Sequence, residues 1–268
     1  MTQLTADIQG IGLLGPGLET WASGAPAIAG QVPYIRCAAV LPIPAALPPA
    51  ERRRTGTVVR LALAIGFEAI SHAGANAAQL PTVFSSSGGD GNNCHEICQT
   101  LATADRQISP TRFHNSVHNA ASGYWSIAAA ATTASSVLCA FDGSFSAGLL
   151  EALTQVVVDQ TPVLLVAYDV GYPAPLGTAR PIPDEFGVAM VLAPPAMATG
   201  SSLARITLTL TDTNADSMSD PRLERLRTDI PAARSLPLLR KLARRESGRV
   251  VLDYLDHRRI AVEVSPWH

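Results

Sequence analysis

The residues best placed for chemistry lie between Ser136 and Val158. There an apolar run meets the turn Phe141-Asp142-Gly143-Ser144-Phe145-Ser146-Ala147-Gly148, and a second apolar stretch follows. A strand, a tight turn and a helix in that order make a nucleophile elbow, which aims one side chain at the positive helix terminus. Ser144 and Ser146 are hydroxyl candidates for acyl hydrolysis or acyl transfer. The pattern G-x-S-x-G is not met, because Ser144 stands two residues before Ser146 where a Gly is required. The same turn also reads as a helix N-cap at Asp142 with a Gly-Ser first turn.

Other groupings are weaker. Cys94, His95 and Cys98 fall within about one helical turn, but a structural zinc site needs four ligands and no second pair is apparent. His114 and His118 have helical spacing, yet Asn115 stands where H-E-x-x-H has its Glu, so a capping or core polar network is expected there. The Gly-rich Ser85–Gly91 lacks the Lys of a phosphate-binding loop and reads as a loop after a strand. No metal and no cofactor is expected. Arg234–Arg249 holds six positive residues against Glu246. Its core, Arg240, Lys241, Arg244 and Arg245, is a candidate docking face for an acidic protein, and otherwise a solvated helix face.

The elements that would position these groups alternate. Strands are expected at Asp7–Leu14, Pro81–Phe84, Ser135–Phe141, Pro162–Tyr168, Gly187–Ala193 and Ala204–Thr211. Helices are expected at Glu51–Ala73, Cys94–Ala102, Asn115–Ala130 and Gly143–Val158. A helix near 221–245 and two short strands near 250 and 260 complete the chain. Such alternation implies an α/β layered fold.

Of the 268 residues, 47% are hydrophobic and only 16% charged, which excludes a disordered chain. The charged fraction is below the roughly 25% usual for a soluble domain, so part of the surface is expected to be covered by a partner. A net charge of -2 argues against a nucleic-acid binder. Four Cys in this length make no disulfide scaffold, and no basic residue precedes Arg36 as in a signal peptide, so a cytoplasmic location is expected. The charge-free run Phe113–Phe141 is long enough to span a bilayer, but its His, Asn, Ser and Thr favour a soluble core.

Residues 109–123, SPTRFHNSVHNAASG, resemble the "SP..F.NS..N.AAG" motif of β-ketoacyl synthases in the thiolase superfamily. Aligned without a gap from Asn119, the family's catalytic Cys falls on Asp142. Pro162–Tyr168 stands where the family has a "D.VLAGG" strand, and Asp184–Leu192 (DEFGVAMVL) resembles its "EGAGALVL" strand. The resemblance spans about 55–210. It implies a truncated thiolase-like α/β fold, a mixed five-stranded sheet layered with helices. Residues 1–210 would form the ketosynthase-like half and 211–268 a short basic C-terminal extension packed on it.

Two departures bear on activity. A carboxylate is a poor substitute for the acyl-accepting thiolate, which a helix N-terminus stabilises. The nearest thiol, Cys139, is expected as a buried apolar residue. The family's catalytic histidines have no counterpart: His257 and His268 lie in no sequence resembling "HGTGT" or "GFGG", and 211–268 is too short for the second half. The resemblance therefore implies a non-catalytic chain-length factor paired with an active ketosynthase and an acyl carrier protein, as in aryl polyene and xanthomonadin-type pigment clusters. It places the partner interface and acyl tunnel at Arg112, Phe113, Ser116, Asn119, Ser136, Leu138, Cys139 and Phe141. At Arg112 the family often carries a bulky apolar residue instead. Two alternatives remain: a serine acyl hydrolase or acyltransferase, and a homodimeric acyl-binding scaffold joined through the same strand.

Overall fold

The computed structural model describes residues 3–197 and 202–267. Eight strands form one sheet: β1 Leu4–Leu14, β2 Thr82–Ser85, β3 Ser135–Leu138, β4 Val163–Asp169, β5 Phe186–Ala193, β6 Ala204–Thr211, β7 Gly248–Leu255 and β8 Arg258–Pro266. Their spatial order is β3-β2-β4-β5-β1-β6-β8-β7. Pairing is parallel across β3-β2-β4 and antiparallel from β4 onward.

The expectation of a five-stranded sheet is corrected. The contiguous five β3-β2-β4-β5-β1 are present, but β6 pairs with β1 at Leu4–Ile8, and the hairpin β7–β8 then pairs with β6. Alternating residues of β6 are buried, as are Val250–Leu252 and Ile260–Val262. Burying these apolar side chains is what carries the C-terminal segment onto the sheet edge.

Among the described residues there are ten α-helices: α1 Trp21–Ala29, α2 Pro49–Arg52, α3 Thr57–Ala73, α4 Gly91–Ala102, α5 Pro110–His114, α6 Ala120–Ala129, α7 Ser144–Asp159, α8 Leu176–Ala179, α9 Pro221–Asp229 and α10 Leu236–Arg244. One apolar core joins α7, α9 and α10 to the face carrying Ile8, Val83, Leu165 and Val188. The other joins α3 and α6 to the face carrying Phe84, Leu164 and Ala189. Helix α3 lies very close to β1: a Cβ at Gly12 would stand 2.0 Å from the Ile65 carbonyl oxygen, so only glycine fits.

Several boundaries differ from expectation. The helix near 221–245 is broken at Pro231, where a 3-10 turn over Pro231–Ser235 separates α9 from α10. Proline removes a helical donor and disfavours helix in the preceding residue. Helix α1 was not anticipated, because Gly24 and Pro26 interrupt its pattern; a capping box between Thr20 and Ser23 starts it. The strand expected to reach Phe141 ends at Leu138. No helix among the described residues is long and apolar enough to cross a membrane.

Candidate functional site: a strand-to-helix turn closed by an ionic cluster

β3 leads through a 3-10 turn over Phe141–Gly143 into α7. Phe141 has φ 51°, a left-handed conformation that is strained for a bulky side chain. The elbow therefore exists, and Phe141 is its strained residue. Its ring is 61% exposed, with the Arg180 guanidinium 3.7 Å above the centroid.

Asp142 does not cap α7; Gly143 occupies that position and no side chain caps the helix. Its carboxylate is bound by two arginines instead. Arg180 Nη2 donates to Oδ1 at 2.8 Å, and Arg234 Nη2 donates to Oδ2 at 3.0 Å. A network continues behind it. Asp253 accepts from Arg227 at 2.7 Å, and Arg227 forks onto Glu224 at 2.6 and 2.8 Å. The hairpin end of β7 presses directly on the turn: a Cβ at Gly143 would lie 2.1 Å from the Tyr254 carbonyl oxygen.

The serine candidates are consumed by the backbone. Ser144 Oγ donates to Phe141 O at 2.7 Å and accepts from Ala140 N at 3.0 Å. Ser146 Oγ donates to Asp253 O at 2.6 Å. Both residues are 1% exposed, and neither hydroxyl bonds to a histidine that could act as base.

Cys139 corrects the expectation of burial: it is exposed, and its Sγ donates to Ser87 O at 3.3 Å. It lies just beyond β3, one of the sheet's two edge strands, which pairs on one side only, with β2. Along that side, Leu138 packs on the core and Ser136 Oγ accepts from Gln155 at 3.2 Å. Phe113 is 69% exposed and Val117 and Ile127 are also exposed. The charge-free run Phe113–Phe141 thus carries four large exposed apolar side chains, Phe113, Val117, Ile127 and Phe141.

The remaining candidates are dispersed. Arg112 is ion-paired to Glu96 at 3.2 Å, and its carbonyl accepts from Asn93 at 2.8 Å. Ser116 Oγ donates to Phe113 O, and Asn119 is exposed at the start of α6. Asn115 is the buried hub between the histidines, donating to Arg54 O and accepting from Tyr124 OH. Cys94 and Cys98 are exposed on α4, and among the described residues no group of three or more His, Cys, Asp and Glu could hold a metal. Residues 85–90 run from the end of β2 into the loop that follows, and Asp90 caps α4 through Asn93 N. On α10, Lys241 Nζ donates to Ser247 O, Arg244 Nε donates to Ala29 O of α1, Arg240 is half-buried and Arg245 is exposed.

Sequence inspection missed one buried ionisable group. Asp169, at the end of β4, accepts from Ser87 N and Oγ at 2.8 and 2.5 Å and from Ala232 N at 2.8 Å. Burial pushes its carboxyl up to about 6 against these bonds. Only its place at the end of an apolar strand could have marked it.

A mixed sheet covered on both faces, with a strand-to-helix elbow after an edge strand, is a thiolase-like fold of the kind that ketosynthases adopt. The chain belongs to the β-ketoacyl synthase family: residues 30–253 match the model of the β-ketoacyl synthase N-terminal domain. Among solved structures, the chain is similar to one described as a ketosynthase (ApeO) in complex with its chain length factor (ApeC) from Xenorhabdus doucetiae. Identity there is 26%, TM-score 0.72, and coverage 97% of this chain and 99% of the other. The ishigamide ketosynthase/chain length factor matches with 14% identity, TM-score 0.73 and coverage of 98% and 100%. A type II polyketide ketosynthase complex with its acyl-carrier protein, AntDE:AntF, matches with 10% identity, TM-score 0.77 and coverage of 97% and 99%. No curated protein sequence matches the chain significantly.

Proposed function

We propose that this chain is a non-catalytic, chain-length-factor subunit that pairs with an active ketosynthase in aryl polyene or related polyketide-type biosynthesis. The observation that carries the reading is Asp142 at the elbow, held by Arg180 and Arg234. A carboxylate fixed by two guanidinium groups has neither the nucleophilicity nor the freedom to accept an acyl chain. The open edge of β3, with Cys139 and Phe141 exposed just beyond its end, supports a partner on that side. The 26% identity over nearly the whole length of a chain from a ketosynthase and chain-length-factor complex favours the heterodimer over a homodimeric scaffold.

In this reading Phe113 and Phe141 supply apolar surface to the shared interface and the end of the acyl tunnel. Arg240, Lys241 and Arg245 offer positive charge to an acidic carrier protein. The serine hydrolase reading is disfavoured by the buried, fully bonded hydroxyls of Ser144 and Ser146.

The test is reconstitution with an active ketosynthase and an acyl carrier protein, followed by mass analysis of the acyl products. Extended chains of one defined length should form only when both subunits are present. An identical product distribution without this chain would overturn the reading.

A further inference from the structure

A cleft of about 570 Å³ opens between the start of α1, the end of α3 and the end of α10. That volume lies within the range of small-molecule sites. Ala25, Leu203 and Leu242 give it apolar walls. Two of the chain's three tryptophans, Trp21 and Trp267, also line it, while the third, Trp125, is buried in the core.

Both indole rings are held before any ligand arrives. Trp21 opens α1, its backbone N donates to Glu68 Oε1 at 2.7 Å, and its side chain packs partly buried against the core. The Arg205 guanidinium stands 5.2 Å from the centroid of the Trp267 ring and is itself anchored on the buried Asp7 at 2.8 and 3.1 Å. Trp267 remains 41% exposed. Planar walls that are already ordered reduce the entropy cost of binding.

The polar groups in the cleft are of one kind. Arg245, the exposed C-cap of α10, has no acceptor for its guanidinium among the described residues, and neither indole N–H has one. His72 Nδ1 accepts from Ile11 N at 3.2 Å, which places the neutral ring's proton on Nε2, a further donor without a partner. Apart from the Ser202 hydroxyl, every polar side chain lining the cleft is thus an unpartnered donor. No Asp or Glu lines it among the described residues. The neighbouring carboxylates are engaged elsewhere: Glu246 pairs with Arg244 at 3.8 Å, and Glu68 is bonded to Leu13 N and Trp21 N. The closing carbonyls of α10, at Lys241 and Leu242, are taken by Glu246 N and Arg245 N.

We infer that this cleft binds a small aromatic carboxylate, its ring against Trp21 and Trp267 and its carboxylate on Arg245. A guanidinium fork matches a carboxylate through two parallel bonds, and indole rings favour an aromatic ring over an aliphatic one of similar size. The inference does not rest on the proposed function, because the described lining comes from this chain alone.

Calorimetric titration of the lone full chain with sodium β-naphthoate, at constant ionic strength, tests it; no carrier protein is then present to compete for Arg245. β-Naphthylmethanol keeps the ring without the charge, and decahydronaphthoate keeps the charge without the aromaticity. Naphthoate should bind with a Kd below roughly 1 mM, and both comparison compounds about fivefold or more weakly. Arg245→Gln should weaken naphthoate binding about tenfold. Glutamine suits that position, because Gln160 closes α7 in the same left-handed conformation, with φ 53° against 51° at Arg245. Trp267→Leu should weaken binding about fivefold. No binding heat from naphthoate would overturn the proposal, as would equal affinity for either comparison compound or unchanged affinity in a folded Arg245→Gln variant. Where circular dichroism shows that variant unfolded, Trp267→Leu decides: unchanged affinity there contradicts the site.

Discussion

Arg234 donates to Asp142 at 3.0 Å across 92 positions of chain. The bond ties the segment between α9 and α10 to the strand-to-helix turn that opens α7. With Arg180 on the other carboxylate oxygen, both oxygens of Asp142 are engaged in holding the fold.

Removing that carboxylate should therefore destabilise the chain. Asp142→Ala leaves two part-buried guanidinium groups without their anion and should cost about 1–3 kcal/mol. Urea unfolding measures the loss. Unchanged stability would show that the cluster does not lock the turn.

Neither serine should react as a nucleophile. A fluorophosphonate probe should leave Ser144 and Ser146 unlabelled in the folded chain, because both hydroxyls are buried and bonded to backbone. Ser146→Ala removes a donor to the Asp253 carbonyl and should lower stability by about 1 kcal/mol. Labelling that Ser146→Ala or Ser144→Ala abolishes would restore the hydrolase reading.

Stability should fall as pH rises through the titration of Asp169. Its folded value is raised from 3.8 to about 6 by burial, so between those values the folded chain keeps a proton that the unfolded chain has lost. The favourable contribution is complete below about pH 4 and gone above about pH 6, a change of order 2–3 kcal/mol. Asp169→Asn cannot ionise and should lack this slope, though its amide places a donor against Ser87 N or Ala232 N. Chemical unfolding of both proteins at pH 4, 5 and 6 compares the slopes. Parallel curves would contradict the assignment.

Much of the fold was legible because apolar runs mark buried strands. β1, β2, β4, β5 and β6 fall within a few residues of their expected positions, and the elbow follows β3 as read. What was not legible was set by distant partners. Strands near 250 and 260 are legible in the sequence, but nothing local shows that they pair with β6 and extend the sheet. Asp142 read as a cap because Arg180 and Arg234 lie 38 and 92 positions away. Cys139 read as buried because its neighbours are apolar, whereas β3 lies at the sheet edge.

Under the proposed pairing across that edge, Cys139 should report partner binding. Maleimide should label it readily in the lone chain and slowly once a ketosynthase is bound, with peptide mass spectrometry separating it from the other three thiols. Phe113→Asp, which places charge in the apolar run, should weaken the complex at least tenfold while leaving the fold intact, since Phe113 is largely exposed. Equal labelling of Cys139 in free and bound chain would move the interface elsewhere.

The most direct test of the central claim is the native mass of this chain co-expressed with an active ketosynthase. A 1:1 heterodimer that survives gel filtration is predicted. A ketosynthase homodimer eluting apart from this chain, with no mixed species by mass, would contradict it.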